Sequence, residues 1–265
     1  MIDIQKSEIA FNNYLDLYKN FKEDVGFKTK VTHTYHVVEN SRELAKKISL
    51  DDENIALAEL IALLHDIGRF EELKVLNLFD GTKFDHAEYG VKLLFEDNLI
   101  YNFTNETKYY TIIKNAIFNH NKLKIQDNLD DDSLLHSRII RDSDKLDNFR
   151  IETEDTPERH FVRIVNSIHD YETSTISDNV FNSIKNHECI KLVDRHTPLD
   201  YHIFLLGFTF DIYFKESFKK IQDKNYINLM IDKFDYKLPE TKEQMNTIKQ
   251  ILNSYINNKL ESYEV

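Results

Sequence analysis

The chain has 265 residues, with 46 acidic side chains against 34 basic ones and a formal net charge of −12. That balance excludes an extended nucleic-acid surface, because backbone binding depends on releasing counterions through many Lys and Arg contacts. It leaves a small phosphorylated ligand open, since metal ions and a few local cations outweigh the global field inside a pocket. One cysteine, Cys189, allows no disulfide within the chain, and no segment approaches the roughly 20 apolar residues of a membrane span. The expectation is a cytoplasmic protein with no membrane partner; assembly into a homo-oligomer stays open. With only five glycines and three prolines, long helices joined by short polar connections are expected, an all-α fold.

In chain order, MIDIQKSEIAFNNYLDLYKNF carries acids and amides at helical spacing and reads as a folded helix rather than a signal peptide. His33 opens the next stretch, HTYHVVENSRELAKKI, in which Tyr35, Val38, Ala45 and Ile48 fall near one helical face. Asp51 and Asp52 supply cap and first-turn carboxylates for a helix through AELIALLHDIGR. Leu60, Ile61, Leu64 and Ile67 form its stripe, Gly68 is its expected stop, and His65 and Asp66 sit in its last turn. Adjacent helical residues point about a hundred degrees apart, so this pair approaches one centre from two sides, which suits an aspartate bridging two ions. His86 begins another helix with Asp85 as its cap, and His120 ends TKYYTIIKNAIFNH. Asp144 lies in SLLHSRIIRDSDKLDNF, whose Leu135, Ile139, Ile140 and Leu146 bury one side.

Beyond Arg150, ETEDTPERH is polar, with Pro157 suited to a first helical position. Helices are expected over about 158–168, 177–186, 200–222 and 241–260. In the third of these, Ile203, Leu206, Phe210, Tyr213, Phe214 and Phe218 recur at helical spacing and read as core. Residues 1–150 form the expected catalytic region. Residues 151–265 form a C-terminal helical extension packed on it, as part of the same structural unit.

His33, the pair His65-Asp66, His86, His120 and Asp144 are all metal-ligand types, and imidazole with carboxylate suits iron, manganese or zinc. In this order and context the chain resembles the HD-domain superfamily of metal-dependent phosphohydrolases, an HD-type helical bundle, from about Val31 to Arg150. The resemblance rests on HTYHVVENSRELA, ALLHDIGR, HAEYG, the Phe118 to His120 FNH and IIRDSDKLD. It implies that His33, His65, Asp66 and Asp144 hold one divalent ion. In family members with two ions, positions matching His86 and His120 hold the second, with Asp66 between them; otherwise these two histidines are substrate-binding or helix-terminal groups. Iron or manganese is the first expectation; Zn, Mg, Ni or Co also suit the set.

The reaction implied is hydrolysis of a small phosphate ester, a nucleotide first among candidates, by a metal-activated water. Asp66 or Asp144 would accept a proton, and Arg69 and Lys145 are the best-placed cations for phosphoryl oxygens. Arg141 and Arg138 are weaker candidates. Two rivals keep the metal site: a di-iron oxygenase, and a metal-dependent nucleotide-binding or sensor protein without turnover. His36 stands where many relatives carry a basic residue. Arg69-Phe70 replaces the paired acids of alarmone hydrolases, which weighs against guanosine polyphosphate. A second His-Asp pair, His169-Asp170, lacks this context and reads as surface or packing. Cys189 near His187 and His196 reads as incidental, and the isolated glycines form no phosphate loop.

Overall fold

The structure is a computed structural model that describes residues 2–77, 83–154 and 167–263. Among the described residues every regular element is helical. They cluster into two compact units, Met1–Asp144 and Lys145–Val265.

The first unit begins with α1 (Ile4–Leu15), started by Asp3, whose side chain accepts from the Lys6 N–H. α2 (Val25–Lys47) is capped by Asp24, so it begins well before His33, and His33 lies in its middle. The extra turns bury Phe27 in the core, a contact that local periodicity around His33 does not register. α3 (Asp52–Leu64) starts at Asp51, which accepts from the Asn54 N–H at 2.8 Å. α2 and α3 are joined across their polar edge by a two-pronged Arg42–Glu59 pair, with N–O distances of 2.7 and 3.0 Å.

α3 ends at Leu64, and a new helix, α4 (Ile67–Leu76), starts directly after Asp66. Gly68 therefore does not stop a helix; it sits in the first turn of α4. Its role is close approach, because a Cβ there would lie 2.2 Å from the His86 carbonyl oxygen and 2.9 Å from the Gly90 nitrogen. The glycine lets α4 and α5 (His86–Val91) touch backbone to backbone. α6 (Tyr110–Asn119) and α7 (Asp131–Glu154) follow, the latter opened by Asp130, which accepts from the backbone and hydroxyl of Ser133.

The core of this unit is an apolar cluster from α1 to α7. At its centre Phe70 meets the rings of Phe11, Tyr14, Tyr18 and Phe27 at centroid distances of 6.0, 6.2, 5.9 and 5.5 Å. Mixed edge-on and tilted ring packing of this kind adds roughly 0.5–1.5 kcal/mol per pair beyond area burial. The Tyr14 hydroxyl also donates to the Ile67 carbonyl at 3.0 Å, fixing the first turn of α4 beside Asp66.

The second unit has its own core. Its helices are α8 (Ile168–Glu172), α9 (Asp178–Lys185), α10 (Pro198–Leu206), α11 (Lys215–Asp223), α12 (Tyr226–Ile231) and α13 (Pro239–Ser262). The stretch expected as one helix over 200–222 is two, α10 and α11, separated by a 3-10 turn, Gly207–Asp211, and residues 212–214, of which Ile212 and Phe214 are extended. Gly207 opens that 3-10 turn with its backbone against Ile190; a Cβ there would be 3.2 Å from the Ile190 side chain. Consequently Ile203, Leu206 and Phe218 are buried, whereas Phe210, Tyr213 and Phe214 are only partly so. Pro157 and most of the helix expected over 158–168 lie outside the described residues.

Candidate metal centre

Four of the six candidate ligands sit at helix ends, where side chains from different helices can meet. His33 projects from the middle of α2, His65 caps the end of α3, and Asp66 precedes α4. His86 opens α5, held by Asp85, which accepts from Ala87 and Glu88 N–H groups at 3.1 Å each. His120 follows the last residue of α6. Asp144 lies on α7, steadied by Asn40 of α2, whose side-chain amide donates to the Ser143 carbonyl at 3.0 Å.

The six come together around Asp66. Asp66 Oδ2 lies 3.7 Å from His33 Nε2 and 3.5 Å from His65 Nε2. Asp66 Oδ1 lies 3.3 Å from His86 Nε2 and 3.6 Å from His120 Nε2. Asp144 Oδ1 closes the first group, 3.1 Å from His33 Nε2 and 3.9 Å from His65 Nε2. His86 and His120 approach to 3.0 Å between their Nε2 atoms. Two sets, His33/His65/Asp144 and His65/Asp66/His120, each bring one ligand atom per residue within 4.8 Å of the others.

The proton positions follow from the backbone. His65 Nδ1 is 2.7 Å from the Ala62 carbonyl and His120 Nδ1 is 2.6 Å from that of Ile117, so each Nδ1–H donates there and each Nε2 carries a lone pair. The buried His65 Nε2 makes no hydrogen bond, and its lone pair faces the oxygens of Asp66 and Asp144. A lone pair aimed at carboxylate oxygens in a dry site is repulsive unless a cation lies among them.

Titration behaviour agrees with this. Burial pulls the His65 pKa down to about 4, against the pull of Asp66. His86 is likewise driven well below its ordinary value, by burial first and then by the Arg69 charge. Both rings are therefore neutral at pH 7, the form that binds metal. Burial would raise the Asp66 carboxyl, but Lys30 and the surrounding histidines outweigh it and hold the group well below the usual range. Asp144 is also lowered, burial being overcome by His33. Neutral imidazoles facing ionised carboxylates fit one or two divalent ions of the hard-to-borderline class.

Two cations flank Asp66. Arg69 Nε lies 3.5 Å from Oδ1, with its Nη1 on Glu72 at 2.6 Å. Lys30 Nζ lies 2.8 Å from Oδ2. Lys30 was not legible in the sequence because the helix was expected to begin at His33; on the longer α2 it is one turn before His33, on the same face. Lys145 engages Asp211 at 2.7 Å within the second unit, with its ammonium 5.5 Å from the centre of the Phe208 ring. Arg138 is exposed, and Arg141 is buried with its guanidinium on backbone carbonyls. His36 is half-exposed, 3.9 Å from Glu39. In the second His-Asp pair, Asp170 caps α8 by accepting from the backbone and hydroxyl of Ser167.

The HD domain family model matches residues 31–148, a span that contains all six ligand candidates. Residues 31–148 belong to the HD-domain superfamily. HD domains bind divalent metals and are generally hydrolases of the metal-dependent phosphohydrolase type, and the His/Asp sets of this HD domain are of the kind that holds such ions. No curated protein and no solved structure matches the chain. Among the described residues, no helix is long and apolar enough to cross a membrane.

Proposed function

We propose that the chain hydrolyses a small phosphate ester, with nucleotides as the first substrate class. The Asp66 carboxylate carries this reading: each of its oxygens faces its own pair of imidazoles and its own side-chain cation. His33, His65, Asp66 and Asp144 would hold one ion, and His86 and His120 a second, with Asp66 shared. Bound divalent ions supply a water that loses its proton far more readily than in bulk and neutralise the phosphoryl oxygens. Asp144 or Asp66 would accept a proton, both carboxylates standing at the site beside the imidazoles. Lys30 and Arg69 orient the anionic ester and balance its charge. These two cations favour an anionic substrate, a phosphate ester for the hydrolase or a phosphonate for the oxygenase, over a neutral polyol, which offers them no charge to bind.

Metal content by mass spectrometry on protein purified without chelator tests the site, with His86→Ala and Asp66→Ala alongside. The expected result is about two ions per chain, falling toward one and toward none respectively. The metal-loaded protein then releases phosphate from members of a nucleotide panel. Absence of metal in every sample, even after reconstitution, overturns the catalytic reading in favour of a binding module. Oxygen uptake with a polyol or a phosphonate, without phosphate release from nucleotides, favours the oxygenase.

A further inference from the structure

His86 and His120 stand 34 positions apart on different helices, yet their Nε2 atoms meet at 3.0 Å. Neither host helix fixes that distance alone. His86 is the first residue of a six-residue helix, and His120 lies just past the end of α6. Such positions fray unless tied, since terminal backbone groups lack helical partners.

Two side chains outside the ligand set supply the ties. Asp85 Oδ1 accepts from the N–H groups of Ala87 and Glu88, in the first turn of the His86 helix, and from the Asn121 side-chain amide at 3.0 Å. Its Oδ2 takes the Lys122 ammonium. One carboxylate thus binds both the helix that starts with His86 and the two residues that follow His120. From the other side, Arg141 on α7 is 2 % exposed and donates through Nη1 to the carbonyls of Asn119 and Lys122, the latter at 2.7 Å. Longer contacts of 3.5 Å reach the carbonyls of His120 and Leu123. A planar guanidinium placed on the last carbonyls of a helix satisfies groups that have no helical partner and fixes the chain direction there. Asn119 completes the loop by accepting from the Gln126 N–H at 2.8 Å. The His33 side has separate supports, the Arg42–Glu59 pair and the Asn40 link to α7.

We infer that Asp85 and Arg141 are positioning residues that set the His86–His120 spacing and thereby control that side of the metal centre, leaving His33, on α2, to its own supports. The inference rests on the metal-site reading above for its consequence, and on the hydrogen bonds themselves for its structural content. Replacing supports of metal-binding histidines typically costs about 10- to 100-fold in metal affinity.

The test combines manganese titration with ring-nitrogen NMR of histidine-labelled protein in the metal-free state, for wild type, Arg141→Met, Asp85→Ala and Asp85→Asn. The expected result in the first two variants is a weakening of the second manganese by about 10- to 100-fold with the first unchanged. In the metal-free state, the His86 and His120 signals move most and that of His33, farther from the two ties, stays. Asp85→Asn keeps an oxygen for Ala87, Glu88 and Asn121 and therefore restores most of the affinity and the wild-type ring signals. Asp85 is partly exposed, so its variants fold even if Arg141→Met does not. Unmoved His86 and His120 signals, or equal losses at both manganese positions with the His33 ring disturbed as much as His86 and His120, overturn the inference. If wild type binds no manganese but the two ring signals move selectively, the tie is supported and the metal reading alone fails.

Discussion

At the scale of single residues, the centre is built on opposed charges, and Lys30 gives the sharpest test of what the site is for. Its ammonium lies on the same Asp66 oxygen that faces His33 and His65, so it competes electrostatically with any cation held there while adding positive charge for an anionic substrate. Lys30→Met keeps most of the stem and removes the charge. The expected outcome is unchanged or tighter metal binding together with a fall of about 100-fold in kcat for phosphate release. Lys30→Arg should recover part of that rate. A Lys30→Met protein with full rate would remove Lys30 from the reaction. Asp66→Asn is the complementary change: it leaves Lys30 beside a neutral amide in a buried position, and metal content should fall at both positions together. Loss from one position only would contradict a shared carboxylate.

At the scale of elements, α4 and α5 meet backbone to backbone at Gly68. With a Cβ at residue 68 only 2.2 Å from the His86 carbonyl, Gly68→Ala forces α5 to move, and His86 with it. Overpacking of this sort costs about 1–3 kcal/mol, which urea denaturation would register as a lower midpoint at unchanged slope. The distinguishing readout is metal count: the His86/His120 position should empty while the His33/His65/Asp144 position fills normally. The same residue shows why part of the fold escaped the sequence. A glycine after an apolar helical run reads as a stop, whereas Gly68 is inside a helix, and what demands it is a strand of backbone eighteen residues later. The six candidate ligands were legible because metal binding restricts residue type, and the structure brings these six side chains together. Caps at Asp51 and Asp85 were legible for a similar reason, a short side chain at a defined offset. Lys30 was hidden among 34 basic side chains, and the break between α10 and α11 was hidden because the apolar residues on either side of it keep helical spacing through the 3-10 turn.

At the scale of the molecule, burying neutral histidines makes stability depend on pH in a defined direction. His136 shows this away from the metal ligands: it is 1 % exposed, its Nε2 lies 3.1 Å from the Asn54 side-chain oxygen, and burial lowers its pKa from 6.5 to about 4. Between those two values the unfolded chain binds a proton that the folded chain refuses, so stability falls as pH drops from about 6.5 toward 4 and is level above that window. A depression of this size is worth about 2–3 kcal/mol between pH 7.5 and 4.5. The lowered carboxylates Asp66 and Asp144 act elsewhere on the scale, losing their contributions only below the ordinary carboxylate range as pH falls through their folded values. Urea midpoints of metal-free wild type and His136→Gln at pH 7.5 and 4.5 therefore isolate the histidine. Wild type should lose about 2–3 kcal/mol more than the variant across that interval, and parallel losses would show that His136 takes up its proton in the folded state. His65 adds a loss of the same sign in both proteins, because burial lowers it into the same window. In the metal-loaded protein a bound ion competes with protons for His65, so loading should shift the acid loss of stability to lower pH, by more in wild type than in Asp66→Asn.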